Sequence, residues 1–563
     1  MKKYLILSKK IKPILSALLA VFSSVAVCSA APTVDSGSLL QQVRPTIDSP
    51  PHKAPVTEPI VEKEIPKPAD GKSFLVTTIK ITGDTTIDHA TLHTLVADGE
   101  GKSLTLPMLN ELAGRITNYY HNKGYPLARA VIPAQTIEKG TIIFKILMSR
   151  YGEINLTNSS QVSDSVLNKI LSPLKNKQKI TQEALNRALM LLSDIQGIAV
   201  TATLKPGKTA ETADLMVDVV AGSRVVGNVV ADNYGTKFTG RYRAGGTFSF
   251  LNPLHNGDIL SVSVLSSGSD MTYGRLSYDS LLNSYGTRVG GSVSFLYYTI
   301  GGTLTAAKAD GTAQVANLWA TQPFVRTRDI NVNGQIQYER MQLSDHTGTI
   351  DKNNRHLDNL GLTLSGDVRD GFLSGSFNTW NLGMTAGMVG FDDDTAEAFD
   401  SIGAKTKGGF FKANANLVLL QSVSQNTSLY LSVAGQLALS NLDSSQKMSL
   451  GGPNSVRAYS ISAASGDSGY TGTAEVRYNL GNFLYGQWQA VGFVDSGTLT
   501  INKKPWTNTT DNSATLSGTG TGLSWNGPSL WNAKVTVATP IGGTPTSVER
   551  STVQTWIEIG GRF

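Results

Sequence analysis

Three short runs carry residue types that do chemistry in other proteins. Gly99-Glu100-Gly101-Lys102-Ser103 looks like a phosphate-cradling loop, in which backbone N–H groups and a lysine hold a chain of phosphates. Such a loop needs a glycine where this chain has Val96, and it must lead from a strand straight into a helix; the run reads instead as a turn between two helices. His89 and His93 stand one helical turn apart, as two zinc ligands would, yet no glutamate follows the first and no third ligand is evident, so they read as a solvated helix face. Asp392, Asp393 and Asp394 would attract a hard cation; an acidic loop is the simpler reading. No serine, histidine and carboxylate set stands out. The expectation is therefore a protein without catalytic residues, metal or cofactor.

The remaining polar chemistry is laid out along strands. From about Ser223 to Phe563 short segments alternate apolar with polar residues between clusters of Gly, Asn, Asp and Ser. Counting back from the C-terminal phenylalanine, Phe563, Gly561, Ile559, Ile557, Thr555 and Val553 share one face, and Arg562, Glu558 and Gln554 the other. The same division separates Leu429, Leu431, Val433, Leu437 and Leu439 from Ser428, Ser432 and Gln436, and Tyr242, Ala244, Phe248 and Phe250 from Arg241, Arg243, Thr247 and Ser249. One face suits lipid and the other a wet lumen, and roughly sixteen such segments fall within the range of outer-membrane barrels. About twenty residues per strand and connection are enough for a tilted span of about ten plus a turn or loop. Past the N-terminus no stretch is apolar for the ~20 residues that a membrane helix needs. A mostly β chain with a 16-stranded transmembrane antiparallel barrel over residues 222–563 is expected.

The first residues explain the charge. Lys2, Lys3, Lys9, Lys10 and Lys12 precede an apolar run from Ile14 to Val27 and then small residues at Ser29, Ala30 and Ala31, the pattern of a secretory signal peptide over residues 1–30. Those lysines supply most of the net charge of +6. The rest of the chain is too balanced to bind nucleic acid through bulk charge. The single cysteine, Cys28, lies at the cleavage region, so no disulfide is expected. Signal and barrel together place the protein in a bacterial outer membrane.

Between signal and barrel the composition changes twice. Residues 31–44 hold a short helix with Leu39, Leu40 and Val43 on one face. Residues 45–72 carry Pro45, Pro50, Pro51, Pro55, Pro59, Pro66 and Pro68, a linker inclined to extended polyproline structure. At ~3.1 Å per residue it reaches roughly 85 Å, well beyond a hydrocarbon core of ~30 Å, so the helix can sit in the barrel while the following domain stays in the periplasm. Residues 73–149 and 150–221 each read strand, helix, helix, strand, strand, and each is just long enough for a small α+β core. In the first the elements fall at Leu75–Thr82, Asp88–Ala97, Pro107–Lys123, Ala128–Pro133 and Thr141–Leu147; in the second at Gly152–Leu156, Ser163–Leu171, Gln182–Asp194, Ile198–Leu204 and Ala213–Val220.

This order, helix, Pro-rich linker, two α+β domains and barrel, resembles the two-partner secretion transporters of the TpsB type, the ShlB/FhaC/HecB family within the POTRA-plus-barrel superfamily. Tyr120 to Pro126 with Gly124 and Tyr125, and Ile132-Pro133-Ala134-Gln135 with Gly140, are similar to its first POTRA domain. Asp194-Ile195-Gln196-Gly197 and Leu204 to Gly207 are similar to its second. Asp232-Asn233-Tyr234-Gly235, Asn252-Pro253 and Gly257-Asp258 match the start of its barrel. Leu450 to Tyr459 resembles the tip of the sixth extracellular loop, which folds back into the barrel, and Phe493-Val494-Asp495-Ser496-Gly497 the barrel strand facing it. Ala458 stands where the family pattern has glycine, a departure that bears on the backbone of the tip.

The resemblance implies that Arg457, beside Tyr459, pairs with Asp495, beside Phe493. Strand parity agrees in placing Asp495, Phe493, Gln489 and Gln487 toward the lumen and Trp488 toward lipid. Glu475 and Arg477 share the lumen parity of the preceding strand and extend the network. Leu39, Leu40 and Val43 would belong to a removable pore plug. The implied function is ATP-independent export of an unfolded, β-helical TpsA-type exoprotein captured by the POTRA domains. Outer-membrane lipid, lipopolysaccharide, the barrel-assembly machinery and periplasmic chaperones are the further partners. A barrel-assembly factor of the same superfamily is the main rival; a passive diffusion channel leaves the POTRA pair unexplained, and a membrane enzyme lacks a catalytic set.

Overall fold

A computed structural model describes residues 34–43, 56–57, 73–84, 86–348, 351–506, 512–543, 545, 548 and 552–563. The signal segment and most of the Pro-rich linker lie outside them. From Val225 to Arg562, sixteen strands, each hydrogen-bonded to the next, close into one antiparallel barrel. The first, Val225–Asp232, meets the last, Gln554–Arg562, with Asn228 opposite Arg562 and Asp232 opposite Glu558. Closure leaves no strand edge, which is how backbone polar groups are satisfied in hydrocarbon. Phe563 N–H and carbonyl both bond Gly227, and its ring packs on Phe248, so the terminal residue helps fasten the seam. Among the described residues no helix is long and apolar enough to cross a membrane; the crossing is made by strands.

The side chains follow the alternation. Phe248, Phe250, Val433, Leu437, Ile557 and Ile559 are exposed on the outer wall, while Arg243 and Gln436 are buried inside it. One region breaks the polar-lumen rule: Leu296, Ala313, Val315, Met341, Leu343 and Leu357 point inward at the end of the barrel remote from the POTRA domains. They are covered by the helix Ser36–Val43, whose Leu39, Leu40 and Val43 pack into them.

The periplasmic part holds two small cores. In the first, Thr78–Gly83 lies parallel to Thr141–Leu147, which pairs antiparallel with Arg129–Val131. Leu109, Leu112, Ile116 and Tyr120 of the helix Leu106–Asn122 cover that sheet. The expected strand Leu75–Thr82 is broken at Thr77: Phe74–Val76 pairs instead with Lys102–Leu104, a strand inside the stretch read as a simple turn. The helix expected over Asp88–Ala97 is shorter, His89–Thr94, and closes in a 3-10 turn Ala97–Gly99. In the second core Ile198–Pro206 pairs antiparallel with Thr212–Ala221, which lies parallel to Arg150–Ser159. The linker adds to this sheet: Val56 and Thr57 pair parallel with Thr201 and Ala202, so part of it is a strand and not free polyproline.

Candidate functional site

Loop 6, between the eleventh and twelfth barrel strands Thr427–Ala438 and Ser468–Phe483, folds inward on a short hairpin, Met448–Leu450 against Ala464–Gly466. Gly451 and Gly452 reverse the chain with φ of +98° and +102°, where a side chain would be strained. The tip is anchored by an apolar knot of Leu450, Val456, Ala458 and Tyr459 on Phe493, Leu499 and Leu516. Its centre is Arg457. The guanidinium forks onto Asp495, Nε to Oδ2 at 2.8 Å and Nη2 to Oδ1 at 2.7 Å, and gives its remaining arm to Glu475 Oε1 at 2.6 Å. Arg457 N–H also donates to Asp495, and Thr473 Oγ1 donates to the same carboxylate. Arg477 in turn forks onto Glu475 Oε2 at 2.8 and 2.7 Å.

The guanidinium carbon lies 3.4 Å from the centroid of the Phe493 ring. Only a planar, delocalised cation can stack on a ring while forking onto one carboxylate and reaching another, and lysine cannot copy this. Arg457, Tyr459, Asp495, Phe493, Glu475 and Arg477 thus form one cluster. Trp556 is an addition, its indole N–H donating to the Arg457 carbonyl at 2.8 Å. Its parity with Glu558 and Gln554 already placed it on the lumen face, but nothing local tied it to a residue 99 positions earlier.

Ala458 is accommodated by its neighbour. It does not occupy the left-handed region, so the methyl costs no backbone strain. Space comes from Gly518 on the strand Ser513–Asn526, where an added Cβ would lie 2.4 Å from that of Ala458. Overpacking of this kind costs ~1–3 kcal/mol. Gly518→Ala is expected to unseat the tip and raise cleavage at loop 6 by external protease on whole cells, and Ala458→Gly in the same chain should reverse it. Equal cleavage of wild type and Gly518→Ala would count against this packing.

A second buried ion cluster holds the N-terminal helix. Arg355 on the strand Asp351–Asp370 bonds Asp345 of the neighbouring strand at 2.7 Å and Asp443 at the root of loop 6 at 2.5 Å, and lies 3.7 Å from Asp35 just before the helix. Asp345 also accepts from Ser36 N–H at 2.7 Å, Ser36 Oγ at 2.9 Å and Tyr298 Oη at 2.7 Å. Gln41 reaches the Ser444 carbonyl, and Gly37 lies so close to Ser445 that a Cβ would fall 2.7 Å from its backbone nitrogen. Wall, loop and helix therefore meet at one arginine. The helical spacing in the sequence points to Leu39, Leu40 and Val43, whereas these polar partners, hundreds of residues away, leave no local sign.

The POTRA positions are architectural. Gly124, at φ +88°, ends its helix and accepts from Gln182 N–H of the second domain. Tyr125 packs edge-on to Tyr120. Gln135 imitates a strand, donating to the Ile143 carbonyl at 3.0 Å and accepting its N–H at 2.8 Å. Gly197, at φ +80°, lies where the second domain meets the barrel. His89 and His93 are engaged by the Asp84 carbonyl and Glu100. Asp393 caps the helix Asp394–Ile402 and Asp392 bonds His356 and Gln342. Among the described residues no group of three or more His, Cys, Asp or Glu is placed to hold a metal ion.

The two POTRA domains are bridged by Asp84 and Lys179 at 2.7 Å. Burial pushes the Asp84 carboxyl up, but hydrogen bonds from Lys179 and Thr86 outweigh it and hold the group below the ordinary aspartate value. A depressed folded value means that the stabilisation is complete above the unfolded value of ~3.9 and is lost as pH falls through the folded one. Lys179→Ala should therefore lower the thermal midpoint of the periplasmic domains at pH 6 by an amount worth under ~1 kcal/mol, and the gap from wild type should shrink at pH 3. An undiminished gap in acid would refute the assignment.

A closed lipid-facing barrel with a loop ion-locked inside it, and folded modules strung before its first strand, is the build of an outer-membrane polypeptide transporter. The haemolysin secretion/activation protein family ShlB/FhaC/HecB matches residues 211–525, and the ShlB-type POTRA domain matches residues 74–148. The chain belongs to that family. It is 28% identical over 450 residues to the heme/hemopexin transporter protein HuxB of Haemophilus influenzae, covering 78% of this chain and 79% of that protein. To the outer membrane transporter CdiB of Escherichia coli it is 22% identical over 468 residues, covering 81% and 77%. The fold is shared with the solved structure of CdiB from Escherichia coli, with a TM-score of 0.71 at 21% identity over 89% of this chain and 93% of that one. CdiB from Acinetobacter baumannii gives a TM-score of 0.63 at 17% identity over 100% and 98%. The protein is a two-partner secretion transporter of the outer membrane with its POTRA domains in the periplasm, serving a secreted partner exoprotein.

Proposed function

We propose that this chain captures its exoprotein unfolded in the periplasm and threads it through the barrel without ATP, the substrate being drawn outward as it folds at the surface into a β-helix. The observation that carries this reading is how the lumen is filled. The helix Ser36–Val43 and loop 6 occupy it through side-chain bonds that can be exchanged, while the wall behind them is a complete ladder. A wall with removable contents suits a conduit that opens for cargo and closes afterwards.

Capture by β-augmentation is supported by the second POTRA sheet, whose edge strand Ile198–Pro206 already accepts an extended segment, Val56–Thr57. A cargo strand using the same edge would displace the linker that leads to the plug. Backbone pairing asks little of cargo side chains. Of the possible cargoes, adhesin, haemolysin, haem-scavenging protein or contact-dependent toxin, the likeness to a heme/hemopexin transporter favours the haem-related class. Lipid and lipopolysaccharide around the barrel, and chaperones and the barrel-assembly machinery during biogenesis, complete the partners.

The test is export of the exoprotein encoded beside this gene in a host carrying either wild type or a chain lacking residues 74–147. Export by wild type and its loss in an inserted deletion variant is expected. No export by an inserted wild type with intact cargo, together with depletion of other barrels when the protein is withdrawn, would favour the assembly factor instead.

A further inference from the structure

We infer that Asp194-Ile195-Gln196-Gly197 and Asn252-Pro253 with Gly257-Asp258 are two halves of one joint, which holds the second POTRA domain at a fixed angle under the barrel with the Asp194–Arg326 ion pair as its bolt. The two runs are 55 and more residues apart in sequence and meet at the first periplasmic turn. Asp194 follows the helix Gln182–Ser193, and both its oxygens are taken by Arg326 at the end of the barrel strand Ala309–Arg326, Nε to Oδ2 at 2.7 Å and Nη2 to Oδ1 at 2.5 Å. Arg326 is only 4% exposed and is braced from behind, donating to Asn331, which donates in turn to Asp367. A two-point fork held from the rear fixes direction as well as distance.

The neighbouring residues remove the remaining freedom. Asn252 Nδ2 donates to the Gln196 carbonyl at 2.7 Å. Asn252 itself sits at φ +57°, in a turn that Asp258 ties down by accepting from the N–H groups of Leu254 and Asn256 and from Tyr278. Gly197 lies against this turn so closely that a Cβ would come 3.1 Å from Leu251 Cβ and 3.1 Å from Asn252 Nδ2. Arg187, from the same helix, adds bonds to the carbonyls of Pro323 and Phe324 on the barrel. Contacts to the barrel residues 252, 323, 324 and 326 oppose rotation about any single one of them.

The joint has a place in transport because of what it borders. Asp194, Ile195, Gln196 and Gly197 form one lip of a cavity of about 950 Å³ whose other walls are lumen residues, among them Arg288 and Glu339, and whose far side touches Leu40 of the plug helix. The strand after the lip, Ile198–Pro206, is the edge proposed above to receive cargo. A fixed angle therefore keeps the receiving edge in line with the mouth of the lumen, and Asp194 and Arg326 are positioning residues for threading. This inference rests on the export reading.

The experiment uses the full chain with Cys28 replaced by serine and spin labels on cysteines introduced at Asn176 and Ser374, exposed sites on the second POTRA domain and on a barrel turn. Asp194→Asn, Arg326→Gln and the pair are compared with Gly197→Ala, which wedges the joint without touching a charge. Each single change is expected to broaden the label distance distribution and to cut export by about tenfold, with the double variant no worse than either single, as for groups acting as a unit. An unchanged distribution in all variants would overturn the joint. A broadened distribution with export at the wild-type level would overturn its role in transport. Failure of the wild type itself to export would strike at the function reading, while the distance arm would still decide the joint.

Discussion

Arg457→Ala is expected to abolish export of the partner exoprotein while leaving the barrel inserted. The change leaves Asp495, fully buried, without its cation, while Glu475, 6% exposed, keeps only Arg477. Removing one partner from a buried ion pair costs ~3–5 kcal/mol, because the remaining charge has lost its water and gained nothing. That energy falls on the seating of loop 6, since the barrel strands keep their ladders, and it corresponds to a population shift from about a hundredfold to several thousandfold. Arg457→Lys keeps the charge but loses the fork and the ring stacking on Phe493, and should fall between wild type and alanine. Export and protease cleavage of loop 6 should move together across the three chains. Export at the wild-type level from Arg457→Ala would sink the idea that the clamp serves transport.

The second large effect is expected at Arg355. With alanine there, Asp35, Asp345 and Asp443 converge on a space that holds no counter-ion, and like charges at such range repel strongly away from bulk water. The helix Ser36–Val43 can leave without breaking any strand ladder, being tied to the wall, among the described residues, through the Ser36 N–H and hydroxyl on Asp345 and through apolar packing. Arg355→Ala should therefore behave like deletion of residues 34–44, with larger single-channel conductance in planar bilayers and sensitivity of cells to antibiotics normally too large to enter. By the same ~3–5 kcal/mol reasoning the ratio of open to closed channels should rise by about a hundredfold or more. Asp35→Asn removes a negative charge from the crowd and should hold the plug at least as firmly. Normal permeability in both Arg355→Ala and the deletion would remove the plug from the mechanism.

What could be read from the chain and what could not divides by distance. Parity counted from Phe563 put Ile557, Ile559 and Glu558 on their proper faces because a strand repeats every two residues with no outside help. The clamp was legible only through resemblance, since Arg457 and Asp495 lie 38 residues apart with nothing local to join them. Arg355 carries no local sign for the same reason, its partners being Asp35 before the helix Ser36–Val43, Asp345 of the neighbouring strand and Asp443 at the loop root. A signal did exist: Leu296, Val315, Met341, Leu343 and Leu357 hold lumen positions where water-facing residues belong, and such a patch needs a cover. The break at Thr77 and the strand Lys102–Leu104 were hidden because three-residue strands are too short to show a period.

The fit of Ala458 against Gly518 constrains the order in which substitutions at the two positions can be made. A methyl at 458 needs the space that glycine at 518 leaves, whereas glycine at 458 makes no such demand. An ancestor with glycine at both positions could acquire Ala458 in one harmless step, but one with alanine at 518 would pass through a crowded intermediate. Ala458, once present, makes Gly518 hard to replace. The two positions, 60 residues apart, are thus bound in their permitted substitutions, and a chimaera that takes loop 6 from one relative and the barrel from another can fail there even when every charged residue matches.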